Sequence, residues 1–342
     1  MKLDTNVALQ GFTQIVRNII MACYTAHLAS GQTLLCRAIK TETIKKYLKA
    51  ATDLSLPFQM MNPTLNLLGN QSKYIGDILH EASRWESMPN RREPLTKDMV
   101  VYILDKGSAM DSADNLYTVM GDWLTLGLQT GARRQEWAQD RTTLQRSNHV
   151  DLNVDGSPTA FIESDFEFRG FNGLRLSTDS LPSLDLIATV RITWRYQKNM
   201  DNGQVITYAK DSSFPKLCAV NAAHRIISRA HRLGVAKSNP IAVFPTTRKS
   251  KRQCMLTYID DVHIKSLLQE AATSLYKITS KEDLARFTSH SVRVGACVLL
   301  HVNGVSTDTI KFRLRWRSDA FKAYLRNVDA LAEQHRNVLR NV

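Results

Sequence analysis

Residues 116–136 read LYTVMGDWLTLGLQTGARRQE. Leu116, Met120, Trp123 and Leu124 recur at the interval of an α-helix, so one face of this stretch packs into a core. Gly131 stands where that helix must stop, because a residue without Cβ enters the left-handed conformation at little cost. Arg133 is therefore delivered at a turn just beyond a helix end, with Glu136 three positions later.

Toward the N-terminus, Thr96 is placed to cap a helix in which Met99, Val100 and Leu104 share a face. Before it, residues 87–94 read SMPNRREP, two prolines with an asparagine and several charges, which is linker chemistry. The chain is thus expected to divide into residues 1–86, a linker at 87–94, and residues 95–342. The first part reads as helical. Thr41 can cap a helix with the apolar stripe Ile44, Tyr47, Leu48 and Ala51, while Lys45, Lys46 and Lys49 lie mainly off it. Ile15 to Ala29 is apolar but interrupted by Arg17, Asn18, Thr25 and His27, so it is expected to be a core helix rather than a signal peptide or membrane span.

Toward the C-terminus, Val190, Ile192, Trp194 and Tyr196 alternate with Arg191, Thr193 and Arg195. After Asn202-Gly203 the run Val205 to Tyr208 has strand composition, and together these predict a β-hairpin. Lys198 falls where the first strand enters the turn, and Lys210 lies at the far end of the second. From Ala222 onward the pattern is mostly helical. Asn303-Gly304 ends one helix, Ser306 can start the next, and Ser318 can cap a last one carrying Tyr324. A final segment from about residue 328 places Val328, Leu331, Ala332, His335, Val338 and Leu339 at helical spacing. The expected fold class is mostly α with a small antiparallel β-sheet (α+β).

The chain has 342 residues, 43% hydrophobic and 23% charged, enough for a substantial core, and a formal net charge of +13 that attracts polyanions. The five cysteines are scattered without a C-x-x-C pair, so neither a zinc site nor a disulfide framework is indicated. No metal, cofactor or membrane is expected. A reducing intracellular setting with DNA fits best, nuclear if the host is eukaryotic, and the chain is not expected to be secreted. The basic run Arg248, Lys249, Lys251 and Arg252 reads as a solvated loop by default, and as a DNA-backbone contact or nuclear localisation signal otherwise.

Three short motifs carry chemistry in this order. TGARRQE supplies Arg133 and Glu136; SHSVR supplies His290 and Arg293, which three-residue spacing puts on one helix face; and RWRSDAFKAYLRN supplies Trp316 and Tyr324. Taken singly each is ordinary, since an arginine and a glutamate on one turn are usually a surface ion pair and a helical tyrosine is usually core. Their combined order, with a hairpin lysine between the first two, resembles the tyrosine recombinase and integrase family, nearest to its Cre-like and Crypton-type members. The resemblance covers mainly Leu95 to Asn327. For the first part it is looser, TLLCRAIKTETIKKYLKAA looking like a helical core-binding domain.

The resemblance implies a C-shaped clamp on double-stranded DNA and a site-specific strand exchange without metal. Tyr324 would be the nucleophile that forms a 3′-phosphotyrosine. Arg133 and Arg293 would clamp the phosphate, His290 would manage protons, and Lys198 (or Lys210) would be the general acid. Trp316 would contact the phosphate or pack beside it, and Glu136 would support Arg133. Lys45, Lys46, Lys49 and the basic run at 248–252 are candidate DNA contacts. A tetramer on DNA, formed through the C-terminal helix, and a mobile-element role are further implications. Two alternatives remain open on sequence: a type IB topoisomerase or telomere resolvase, and a recombinase-derived DNA-binding protein that no longer cuts.

Overall fold

Three hydrophobic clusters organise the described residues, one in the N-terminal part and two in the C-terminal part, the last of them (Ala296, Cys297, Ile310, Leu314 and Phe321) packing against Trp316 and Tyr324. The structure, a computed structural model, describes residues 9, 11–32, 39–55, 61–86, 91–139, 150–178, 181–197, 201–248 and 253–325. The chain divides between Pro89 and Asn90 into two compact units.

The first unit contains α1 (Gln14–Ser30), α2 (Thr41–Ser55) and α3 (Lys73–Arg84). Its core joins Met21, Ala22 and Leu28 to Ile44, Leu48, Ile75 and Leu79. Thr13 caps α1 by accepting the Val16 N–H, and Gly31 ends it at φ 80°. Two expectations for α2 change. Thr41 is the first helical residue rather than a cap before it, and its hydroxyl donates to Glu86 Oε1 at 2.6 Å. Tyr47 is exposed, while Ile44 and Leu48, with Ala51 partly buried beside them, carry this helix into the core.

The second unit opens with α4 (Lys97–Ser108), α5 (Leu116–Thr130) and the short α6 (Arg134–Trp137). Thr96 caps α4 through the Met99 N–H, as its sequence suggests. Helix α5 is buried nearly all round, from Val119 to Leu128, rather than on one face. A buried charge follows from that: Asp122 has no exposed surface and is paired at 2.6 Å with both Arg225 and Arg229. Such a carboxylate is tolerable only because it is paired. Strands β1 (Phe166–Gly170), β2 (Ile187–Trp194) and β3 (Gln204–Ala209) form an antiparallel sheet in that order. Val190 faces Tyr208 and Ile192 faces Ile206 across the β2–β3 pair, which puts their side chains in the core.

Helix α7 (Ala219–Arg232) covers the sheet and leads to a hairpin of β4 (Val243–Arg248) and β5 (Gln253–Tyr258). The stretch after Ala222 is therefore not simply helical. Pro245 disguises β4 in sequence, yet a proline is accommodated in a strand that has a partner on only one side. Helices α8 (Asp261–Tyr276), α9 (Lys281–Leu284), α10 (His290–Val302), α11 (Thr307–Leu314) and α12 (Lys322–Leu325) complete the described chain. Ser306 caps α11, and Ser318 caps a 3-10 turn at Asp319–Phe321 that runs into α12. The described residues are mostly helical with two small antiparallel sheets, an α+β fold. Among the described residues no helix is long and apolar enough to cross a membrane.

Candidate active site

Gly131 ends α5 at φ 58°, and a Cβ there would lie 2.8 Å from Leu314 Cδ2, so the turn both needs and permits a glycine. The chain then presents Arg133 as the residue before α6. Glu136, buried on that helix, accepts the Arg133 backbone N–H at Oε2 (2.8 Å) and its guanidinium at Oε1 (3.1 Å). Two further donors reach Oε2: Trp194 Nε1 from β2 at 3.1 Å and Arg315 Nη2 at 2.8 Å. Glu136 is thus a fully engaged carboxylate, not half of a surface ion pair.

Helix α10 supplies the next pair. Arg293 is buried and donates from Nη1 to Gly131 O (2.6 Å) and from Nη2 to Leu314 O (2.8 Å). Burial, with the neighbouring cations Arg133 and Arg315, pushes its pKa down to about 9, so it remains charged at neutral pH. Its guanidinium carbon lies 4.3 Å from the Trp316 ring centroid, a cation–π contact. His290 begins α10, and its Nε2 is 2.8 Å from the Tyr324 hydroxyl oxygen. The residue is exposed overall, yet desolvation of its ring and the cations Arg293 and Arg92 lower its pKa.

Tyr324 sits on α12 with its ring against His290 at 5.4 Å and Trp316 at 5.7 Å. Burial raises its pKa, and Arg293 opposes that rise. The Ala323 carbonyl beside it accepts from Arg91 Nη1 at 2.8 Å, which anchors the short helix from the opposite end of the unit's chain. Arg133, Ser289, His290, Arg293, Trp316 and Tyr324 all line one cavity of about 390 Å³. Trp316 Nε1 is buried without a hydrogen-bond partner among the described residues. The arrangement offers an anion two guanidiniums and sets a tyrosine hydroxyl, already hydrogen-bonded to an imidazole, beside them.

Lys198 falls outside the described residues, as do Lys249, Lys251, Arg252 and the segment from residue 326 onward. Lys210 lies just past β3, where its ammonium donates to Leu184 O at 2.8 Å. Arg248 is the last residue of β4. Lys45 pairs with Glu42 at 2.7 Å and Lys49 with Asp53 at 3.1 Å on the exposed side of α2, where Lys46 is also exposed. Sequence reasoning missed Arg315, Trp194 and Arg91. Only the alternation of Arg313, Arg315 and Arg317 hinted at the first, and nothing in it singles out the middle one.

No family model and no curated protein matches the chain. Among solved structures it is similar to the Tn1549 transposon integrase in complex with circular intermediate DNA, at 11% identity over 95% of this chain and 86% of that one, TM-score 0.46. It is also similar to a variant of that integrase in complex with transposon right end DNA, at 12% identity over 93% and 84% of the two chains, TM-score 0.48.

Proposed function

We propose that this protein is a site-specific DNA recombinase of the tyrosine type, which cuts and rejoins DNA strands through a covalent phosphotyrosine. The observation that carries the reading is the Tyr324 hydroxyl held 2.8 Å from His290 Nε2 in the cavity that Arg133 and Arg293 line. With the ring proton on Nδ1, Nε2 accepts the tyrosine proton as Oη attacks the scissile phosphorus. The P–Oη bond forms, the bond to the 5′ oxygen breaks, and that oxygen takes a proton, a task the family resemblance gives to Lys198. A 5′ hydroxyl from another strand then attacks the phosphotyrosine, displaces Tyr324 and restores a phosphodiester.

Arg133 and Arg293 neutralise the charge that gathers on the non-bridging oxygens of the pentavalent phosphorus. A guanidinium fork meets two such oxygens where an ammonium meets one. Trp316 buttresses both sides of the reaction, its ring lying over Arg293 and against Tyr324. Double-stranded DNA is the substrate in this reading. A mobile-element role, assembly as a tetramer on DNA and participation of the C-terminal segment belong to the same proposal and rest on the family resemblance.

The test is covalent attachment to a nicked duplex whose cut strand cannot be religated. The full chain should form a denaturation-resistant adduct. Tyr324→Phe should form none while its DNA affinity stays within about threefold, since most affinity comes from phosphate contacts. An adduct that survives this substitution contradicts the assignment.

A further inference from the structure

Arg315 has a fully buried side chain, with 0% of it exposed, and a backbone φ of 57°, the left-handed region that favours glycine. A cation is put there by its contacts. Nη1 donates to Thr130 O at 3.1 Å, Nη2 donates to Glu136 Oε2 at 2.8 Å, and the guanidinium carbon lies 3.9 Å from the Trp194 ring centroid. Arg315 does not line the cavity that holds Tyr324. It nevertheless ends at the carboxylate that holds Arg133.

We propose that Arg315 is a positioning residue for Arg133, acting through Glu136. The inference rests on the strand-transfer reading of the cavity. Glu136 Oε2 accepts from Arg315 Nη2 and from the Arg133 backbone N–H, while Oε1 accepts from the Arg133 guanidinium, so Arg315 fixes the carboxylate against which Arg133 is set. Without Arg315, that carboxylate loses a donor and can turn, carrying the Arg133 guanidinium away from its place beside the phosphate. The same side chain fixes the turn from behind. Arg293 donates to Gly131 O and Arg315 to Thr130 O, so two buried arginines hold adjacent carbonyls of the loop that delivers Arg133. Arg315 also lies next in sequence to Trp316, so the Arg133 turn and the Trp316–Tyr324 layer are set by one short segment.

The experiment compares single-turnover adduct formation and duplex affinity for the full chain carrying Arg315→Lys, Arg315→Met, Glu136→Gln and the double variant Arg315→Met with Glu136→Gln. Misplacing a phosphate ligand by about 1 Å is expected to cost on the order of 100-fold in rate. Arg315→Met should therefore slow the adduct about 100-fold with affinity changed by only about threefold. Arg315→Lys keeps the charge but cannot reach both acceptors, and should slow it about tenfold. Glu136→Gln alone should also slow the adduct, and the double variant should be no slower than the slower of the two single variants, because Arg315 acts through Glu136; a merely structural arginine would make the two losses multiply.

An Arg315→Met rate equal to that of the unmodified chain, or a double variant whose loss is the product of the two single losses, overturns the proposal. If Arg315→Met does not fold, Arg315→Lys decides, and an unchanged rate there overturns it equally. Failure of the unmodified chain to give a Tyr324-dependent adduct overturns the strand-transfer reading and this inference together. A Tyr324-dependent adduct that is indifferent to Arg315 overturns this inference alone.

Discussion

His290 is held by surroundings that disfavour its charged form: desolvation of the ring and the cations Arg293 and Arg92 all lower its pKa. The sign of the pH dependence follows. A free histidine titrates near about 6.5, and His290 must be neutral to accept the Tyr324 proton, so adduct formation should persist into mildly acid solution with an acid-limb midpoint below that value. A pH–rate profile measures this, and a midpoint above about 6.5 contradicts it. Tyr324 is shifted the other way, up, because burial disfavours the phenolate. In His290→Gln the limb set by the histidine should be replaced by one that climbs roughly tenfold per pH unit until Tyr324 itself ionises, because direct ionisation of the phenol replaces the base. At this scale the sequence was readable where a motif fixed spacing, as with Arg133 and Glu136 or His290 and Arg293. Arg315 was not, since its left-handed backbone lacks the glycine that normally announces one and Arg313 and Arg317 flank it with the same side chain.

Helix α10 carries His290 and Arg293, and its placement depends on a close backbone crossing. A Cβ built on Gly295 would lie 2.2 Å from Leu95 O, with the Leu95 backbone nitrogen and carbonyl carbon also within about 3 Å. The Leu95 N–H donates to Ser291 O at 2.9 Å, so the segment entering the second unit runs directly along this helix. Gly295→Ala should cost about 1–3 kcal/mol or more of stability, because neither backbone can yield, and it should slow adduct formation by displacing His290 and Arg293 together. Thermal unfolding beside the single-turnover rate checks both. An unchanged melting temperature contradicts the crossing. Elements with strong caps and clear periods, such as α4, α5 and the β2–β3 hairpin, were legible in the sequence. Strand β1 and the β4–β5 hairpin were not. Pro245 breaks the composition of β4, and β1 is only Phe166–Gly170, too short for an alternating pattern to stand out from its surroundings.

Across the whole chain the formal net charge of +13 sets the long-range field. The logarithm of duplex affinity should fall linearly with the logarithm of salt concentration, so that affinity drops about 10³-fold or more between about 50 and 200 mM if six or more phosphates are contacted. A titration showing affinity indifferent to salt would contradict a phosphate-dominated interface. Charge of this kind was evident from composition, but which cations touch DNA was not, because Lys45 and Lys49 already have carboxylate neighbours and a basic residue looks the same in sequence whether solvated or bound. The central claim is that the cavity joining Tyr324, His290, Arg133 and Arg293 makes a covalent bond to DNA. Its most direct measurement is to trap the full chain on nicked duplex, digest the adduct with protease, and identify the linked peptide and the DNA end by mass spectrometry. The account predicts a link from Tyr324 Oη to a 3′ phosphate, with a free 5′ hydroxyl on the other strand end. A link to any other residue, or to a 5′ phosphate, would contradict it.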